Sequence, residues 1–216
     1  MLVMKFKGAV LQDREALSGI KKMIKDQNVP CVVVVSALKG TMPRLRLLYS
    51  LSLRKGCGFE EEFNELREIY ERLATELLAG KKLEEYRAEM QEQLDDLYDI
   101  LHQVAVLKAA SQCMKDYILS KGDILASLLF SKLFDNACWR DSRHFILTDS
   151  NFGAPEILWE DSCRAVEWEF KDLKGVAVVP GYCGKTKAGD TISLGRVGLS
   201  LTASVLEAAL QSVKVA

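Results

Sequence analysis

Val29-Pro30-Cys31-Val32-Val33-Val34-Val35-Ser36-Ala37-Leu38-Lys39-Gly40 decides how the rest of the chain is read. Its valines do not alternate with polar residues, so it is not a strand with one wet face. A continuous β-branched run bounded by turn residues predicts a strand buried on both faces. Pro30 stands at the entrance, where a missing N–H harms the ladder least. At the far end the run gives way to Ser36, Lys39 and Gly40. Ligands of open α/β sheets sit beyond the carboxyl ends of parallel strands, which makes Ser36 a candidate site residue. The same serine also suits the cap of a following helix, and spacing does not separate the two.

Working outward, Leu2–Phe6 predicts a short strand and Ala16–Asp26 a helix with Leu17, Ile20, Met23 and Ile24 on one face. With the valine run they make a β-α-β unit that closes in parallel by a right-handed crossover. A further helix starts near Pro43. From Phe59 to Leu78 apolar residues recur at steps of three and four, and after Gly80 a second stripe runs from Leu83 to Val104. These predict a helical hairpin over residues 59–107, inserted in a single domain of residues 1–216. It serves as a dimerisation arm or lid, or packs on the sheet; so narrow a stripe favours the sheet. Cys113–Phe134 reads as helical but broken at Ser120-Lys121-Gly122-Asp123, where a new helix N-terminus would face an anion. Phe145–Leu147 predicts a strand, and Asp149 and Asn151 predict a turn. A helix over Ser162–Phe170 precedes a second apolar strand at Val176–Val179. A hairpin follows with its turn at Lys187–Asp190, then a helix opening at Leu194–Ser200. Ser212–Ala216 reads as the start of a strand.

The 216 residues are 49% hydrophobic and 27% charged with a formal net charge of −1, ordinary for a soluble globular chain. Nothing in that balance points to nucleic acid or an anionic membrane. No apolar run is long enough to span a bilayer. The six cysteines have no metal-site spacing and only His102 and His144 are available, so neither a zinc site nor a histidine triad is expected. The reading is a reduced, cytoplasmic protein.

The ordered motifs resemble those of aspartate kinases in the amino-acid-kinase family. Lys5-Phe6-x-Gly8 is similar to K-F-G-G-T-S-V, and Val34-Val35-Ser36-Ala37-x-x-Gly40 to V-V-S-A-x-x-G. Asp116-Tyr117-Ile118-Leu119-Ser120-x-Gly122-Asp123 resembles D-x-[VIL]-[LV]-S-[FY]-G-E. Trp139–Arg143 resembles W-L-D-A-R, Thr148-Asp149-x-x-Phe152-Gly153 matches T-D-x-x-F-G, and Val179–Gly184 resembles V-x-G-F-I-G. Leu194-Gly195-Arg196-x-Gly198 resembles the start of L-G-R-G-G-S-D-Y-T-A, with Thr202-Ala203 at its end.

The resemblance implies a three-layer α/β/α sandwich with a mainly parallel sheet. It also implies transfer of the γ-phosphoryl group of ATP, with Mg2+, to the side-chain carboxylate of L-aspartate. Two anions must meet in that reaction, so fixed cations and N–H donors have to surround the transferring group. By resemblance, Lys5, Gly8 and Asp123 are catalytic remnants, and Ser36, Thr41, Arg196 and Gly198 hold substrate. Arg196 suits a carboxylate; as a purely structural residue it would pair with Asp141 or another carboxylate.

Several motif positions are altered. Lys7 replaces a glycine, Ala9-Val10 replace Thr-Ser, Asp123 shortens a glutamate and Ile124 replaces an arginine. Met42 stands at the usual threonine, with Thr41 one place early. Val197, Leu199 and Ser200 replace glycine, serine and aspartate, and Val197 is expected to strain or block a loop that needed glycine. The family's nucleotide-binding half, with its T-D-V-D-G segment, would begin past Ala216. The reading therefore expects a fold incomplete at its C-terminal side, with an open edge and an uncovered face that a second copy or a partner chain covers. It also expects catalysis to be impaired. The alternatives are an active kinase completed by another chain, or a module that binds or senses a small anion.

Overall fold

The computed structural model describes residues 1–54 and 58–210, and the strand expected at Ser212–Ala216 lies outside them. The central sheet is built from β1 (Leu2–Phe6), β2 (Cys31–Val35), β3 (Ala137–Trp139) and β5 (Val176–Pro180) in the order β1-β2-β5-β3, with every pairing parallel. Val32 to Val35 are fully buried, and their side chains divide between two cores. Val33 and Val35 join Leu2, Met4 and Val178 on one face, while Val32 and Val34 join Val3, Ala177 and Val179 on the other. The valine run is therefore a two-sided core strand, as its composition requires.

Both faces carry helices, so the uncovered face expected from the sequence is not found among the described residues. On one side α5 (Gln112–Ser131) crosses β2, β3 and β5. The core on that side is shared with α1 (Arg14–Lys25) and α2 (Thr41–Leu53). On the other side lie α6 (Trp159–Phe170) and α7 (Gly198–Ala209). The edges are β1 and β3. A second, small sheet pairs β4 (Leu147–Thr148) in parallel with β6 (Cys183–Thr186), and β6 antiparallel with β7 (Thr191–Ser193). Gly189, at φ 95°, shapes the β6–β7 turn where the sequence places it. Asp149 and Asn151 are turn residues as expected: Asp149 Oδ1 accepts from the amides of Asn151 and Glu156 at 3.3 and 3.0 Å.

The stripes after Phe59 form α3 (Glu60–Leu77) and α4 (Lys81–Leu107). They land elsewhere than expected. α4 packs on α2 and α5, and α3 on α2, so the hairpin adds a further helical layer outside those helices. A stripe records that a face is buried, not what buries it.

The break expected at Ser120–Asp123 is also absent: α5 runs through it. A mid-helix glycine costs about 1 kcal/mol against alanine, and close packing offsets that cost. A Cβ on Gly122 would lie 3.1 Å from side-chain atoms of Leu45 and Thr41 and 3.2 Å from Ala37 Cβ. Lys121 is fully buried, yet its ammonium donates to Gln93 Oε1 and Asp96 Oδ2 of α4 at 2.8 and 3.1 Å. Tyr70 of α3 reaches the same turn, its hydroxyl donating to Gly122 O at 3.1 Å and lying 3.4 Å from Thr41 Oγ1. Tyr70→Phe is expected to cost about 1 kcal/mol. Urea denaturation checks this, and a loss within a few tenths would show that the hydroxyl does not tie the hairpin to α5.

Candidate functional site

The loops after β1, β2 and β5 meet where parallel strands end, the position that binds ligands in open α/β sheets. Gly8 follows β1 and donates its N–H to Ser36 Oγ at 3.2 Å. Ser36 in turn donates its own amide to Phe6 O at 3.2 Å. The alternative role of Ser36, as a helix cap, is not taken up: Gly40, φ 90°, is the N-cap of α2, and no side chain caps it. Gly8 is glycine because of proximity. A Cβ there would sit 2.1 Å from Ser36 O and 2.5 Å from Ala37 O.

α5 supplies Asp123. Its Oδ1 accepts the Ala37 amide at 2.6 Å, and its buried Oδ2 has no hydrogen-bond partner among the described residues. Burial pushes this carboxyl up to about 8, against the smaller opposing effect of the Ala37 hydrogen bond. Asp116, about two turns before Asp123 on the same helix and buried as well, accepts the Ser193 amide at 3.0 Å and so holds the loop that carries Arg196. Gly195 takes the left-handed conformation in that loop, φ 67°, whereas Val197 has an ordinary φ of −95° and is 60% exposed. Val197 therefore neither strains nor blocks the loop. The glycine needed for φ > 0 is two residues earlier.

These elements enclose a cavity of about 250 Å³ lined by Ser36, Ala37, Met42, Arg46, Asp123, Tyr182, Ser193, Gly195 and Arg196. Of the residues singled out from sequence, Ser36, Asp123 and Arg196 come together here. Lys5 is not in the lining; its exposed ammonium donates to Ser200 Oγ at 3.3 Å. Thr41 is turned into the core against Tyr70, and its neighbour Met42 faces the cavity instead. Gly198 opens α7, where a Cβ would meet Tyr182 Cα at 2.9 Å, so it serves packing beneath the cavity. Asp141 does not pair with Arg196. It takes two hydrogen bonds from Arg143 Nε and Nη2, 2.9 and 2.6 Å to Oδ2, beside the second sheet. Sequence reasoning did not reach Arg46, and reached Tyr182 only as a member of the Val179–Gly184 motif. Arg46 follows Met42 by one helical turn, and that spacing alone places both on one face.

A larger cleft, about 640 Å³, lies between α4 and β3. Its charges are largely spent on one another, Lys82 with Asp135, Lys132 with Glu89 and Arg143 with Asp141. The smaller cavity differs in its arginines. Among the described residues neither Arg46 nor Arg196 has a carboxylate within salt-bridge distance, whereas Arg44 is bound to Glu62 and Glu65.

The parallel α/β sheet, with a small cavity among its strand-end loops, has the amino-acid-kinase-like fold of the solved aspartokinases described below. No family model matches the chain. Along its whole length it is nevertheless similar to the N-terminal part of aspartokinases. Lysine-sensitive aspartokinase 3 of Escherichia coli (strain K12) is 28% identical over 222 residues, covering 100% of this chain and 48% of the relative. Chloroplastic aspartokinase 3 of Arabidopsis thaliana is 28% identical over 225 residues, with 96% and 38% covered. Among solved structures, E. coli aspartokinase III in complex with lysine and aspartate superposes with a TM-score of 0.86 at 26% identity, over 98% of this chain and 47% of that one. Its form with aspartate and ADP gives 0.82 at 25% identity, with the same coverage. The chain thus spans about half the length of the E. coli relative.

Proposed function

We propose that this chain is the substrate side of an aspartate-kinase-like protein, one that holds an aspartate-like ligand in the Ser36–Asp123–Arg196 cavity with phosphoryl transfer impaired. The observation that carries the reading is the split between the two halves of the expected site. The carboxylate-binding arginine and the buried Asp123 converge on one cavity, while Lys5 stands outside its lining against Ser200. The E. coli relative has been solved with aspartate, and with aspartate and ADP.

The described residues fit ATP and Mg2+ poorly. The Gly8 amide is committed to Ser36 Oγ, Lys7 places a side chain where the family motif has glycine, and no cluster of three metal-ligating side chains occurs among these residues. No step through the nucleotide is therefore derived. Calorimetric titration separates the two ligands. L-Aspartate is expected to bind and to lose at least about tenfold in affinity on Arg196→Gln, while Mg-ATP gives no measurable heat. Aspartate binding that ignores Arg196 would end the substrate-side reading, and tight Mg-ATP binding would end the impairment.

The edge strands β1 and β3 have no outer strand among the described residues, and an unpaired edge invites a partner. A second copy or another chain at such an edge is part of the proposal. Sedimentation that gives a monomer at high concentration and in cell extract alike would exclude it. Free cysteines at 31, 113, 138, 163 and 183 fit the reduced, cytoplasmic setting proposed, and none of the described helices is long and apolar enough to cross a membrane.

A further inference from the structure

We propose that Arg46 is a second carboxylate anchor of the cavity, so that the site takes a small dicarboxylate by both ends, one on each arginine. This rests on the reading of the cavity as a ligand site.

Three observations lead to it. The first is the contrast between neighbours on α2: Arg44 is neutralised by Glu62 and Glu65 at 2.5 and 2.6 Å, whereas Arg46 lines the cavity with no carboxylate partner among the described residues. The second is the balance of charge. Among the described residues, Arg46 and Arg196 face a lining whose single carboxyl group is Asp123, and that group has a buried oxygen without a partner. Burial raises the carboxyl of Asp123 to about 8, so near pH 7 it does not offset the two guanidinium charges, which are left for the ligand. A monocarboxylate leaves one of them unmatched. The third is size and surface. At about 250 Å³ the cavity is below the roughly 300–1,000 Å³ of drug-sized sites, and Met42 and Tyr182 offer apolar contact to a short methylene chain.

A planar guanidinium takes a carboxylate through two parallel hydrogen bonds. With one arginine on each end, neither carboxylate of the ligand is free to accept a phosphoryl group. The second anchor would therefore turn an acceptor site into a holding site.

The test titrates succinate, L-aspartate and L-asparagine into the purified chain and into Arg46→Gln and Arg196→Gln, both exposed positions. Succinate and L-aspartate are expected to bind at least about tenfold more tightly than L-asparagine, as one charge-assisted contact requires. Arg46→Gln should remove that preference, with L-asparagine binding changed less than about threefold. Diacid binding that survives Arg46→Gln but is lost in Arg196→Gln overturns this inference and leaves the proposed function standing. L-Asparagine binding as tightly as the diacids overturns it too. No binding by any of the three would overturn both.

Discussion

Alanine at Gly8 is expected to destabilise the protein by about 3 kcal/mol, the upper range for forced overpacking. The added Cβ would lie 2.1 Å from Ser36 O and 2.5 Å from Ala37 O. Both are backbone atoms, so no rotamer change relieves the contact, and the loops after β1 and β2 must separate. That separation breaks the Gly8–Ser36 hydrogen bond and moves Ala37, whose amide holds Asp123. Gly19 provides the control. It lies in α1, and a Cβ there meets nothing within 4 Å. Gly19→Ala is expected to stabilise by about 0.5–1 kcal/mol from helix propensity. Urea denaturation of the two variants reads both signs, and a Gly8 variant within about 0.5 kcal/mol of the parent would mean that the strand-end loops do not touch.

The second large effect is a dependence of stability on pH that Asp123 introduces. Its carboxyl is raised from 3.8 to about 8 in the folded chain, with burial as the main cause. Between those values the unfolded chain has released the proton and the folded chain keeps it, so stability falls as pH rises. The contribution is fully present below about pH 4 and lost as pH passes 8, at about 1.4 kcal/mol per pH unit. Other carboxyls titrate in the same range, Asp116 among them, with its pKa also raised by burial. The difference between parent and Asp123→Asn isolates the one group. From pH 5 to pH 8 that difference is expected to move by a few kcal/mol in favour of the asparagine variant. Parallel stability curves would contradict the burial of an ionisable Asp123.

Much of the fold can be read in the chain itself, because its strongest signals report burial. Val32 to Val35 announce a strand covered on both sides, and the stripes of Phe63, Leu66, Tyr70 and of Tyr86, Met90, Leu94 announce helices with one buried face. What covers each face is set by tertiary packing. The hairpin seats itself on α2 and α5 rather than on the sheet for that reason. The continuity of α5 is hidden for the same reason. Ser120, Lys121, Gly122 and Asp123 look like a turn locally, but each has a contact from another part of the fold or from the helix itself: Ser120 Oγ donates to Tyr117 O, Lys121 reaches α4, Gly122 fits under Thr41 and one oxygen of Asp123 holds Ala37. The strand expected at Phe145–Leu147 is found only as the two-residue β4, Leu147–Thr148, too short for its bounds to show in any period.

The site was legible only through its motifs. Spacing alone left Ser36 divided between cap and ligand, and nothing local says that Asp123 and Arg196, far apart in sequence, line one cavity with it. Thr41 illustrates the reverse case. A motif-like threonine one position early lies on the wrong side of the helix start, facing Tyr70. Arg46 fits no quoted motif, although its one-turn spacing from Met42 marks the shared face.

The central claim, a substrate cavity kept while phosphoryl transfer is impaired, is tested most directly by ATP-dependent phosphorylation of L-aspartate with hydroxylamine trapping of the acyl phosphate. The purified chain is expected to give no hydroxamate above a Lys5→Ala control, under conditions where the E. coli relative gives a clear signal. Hydroxamate formed by the chain and lost in the Lys5 variant would contradict the account and establish a working kinase.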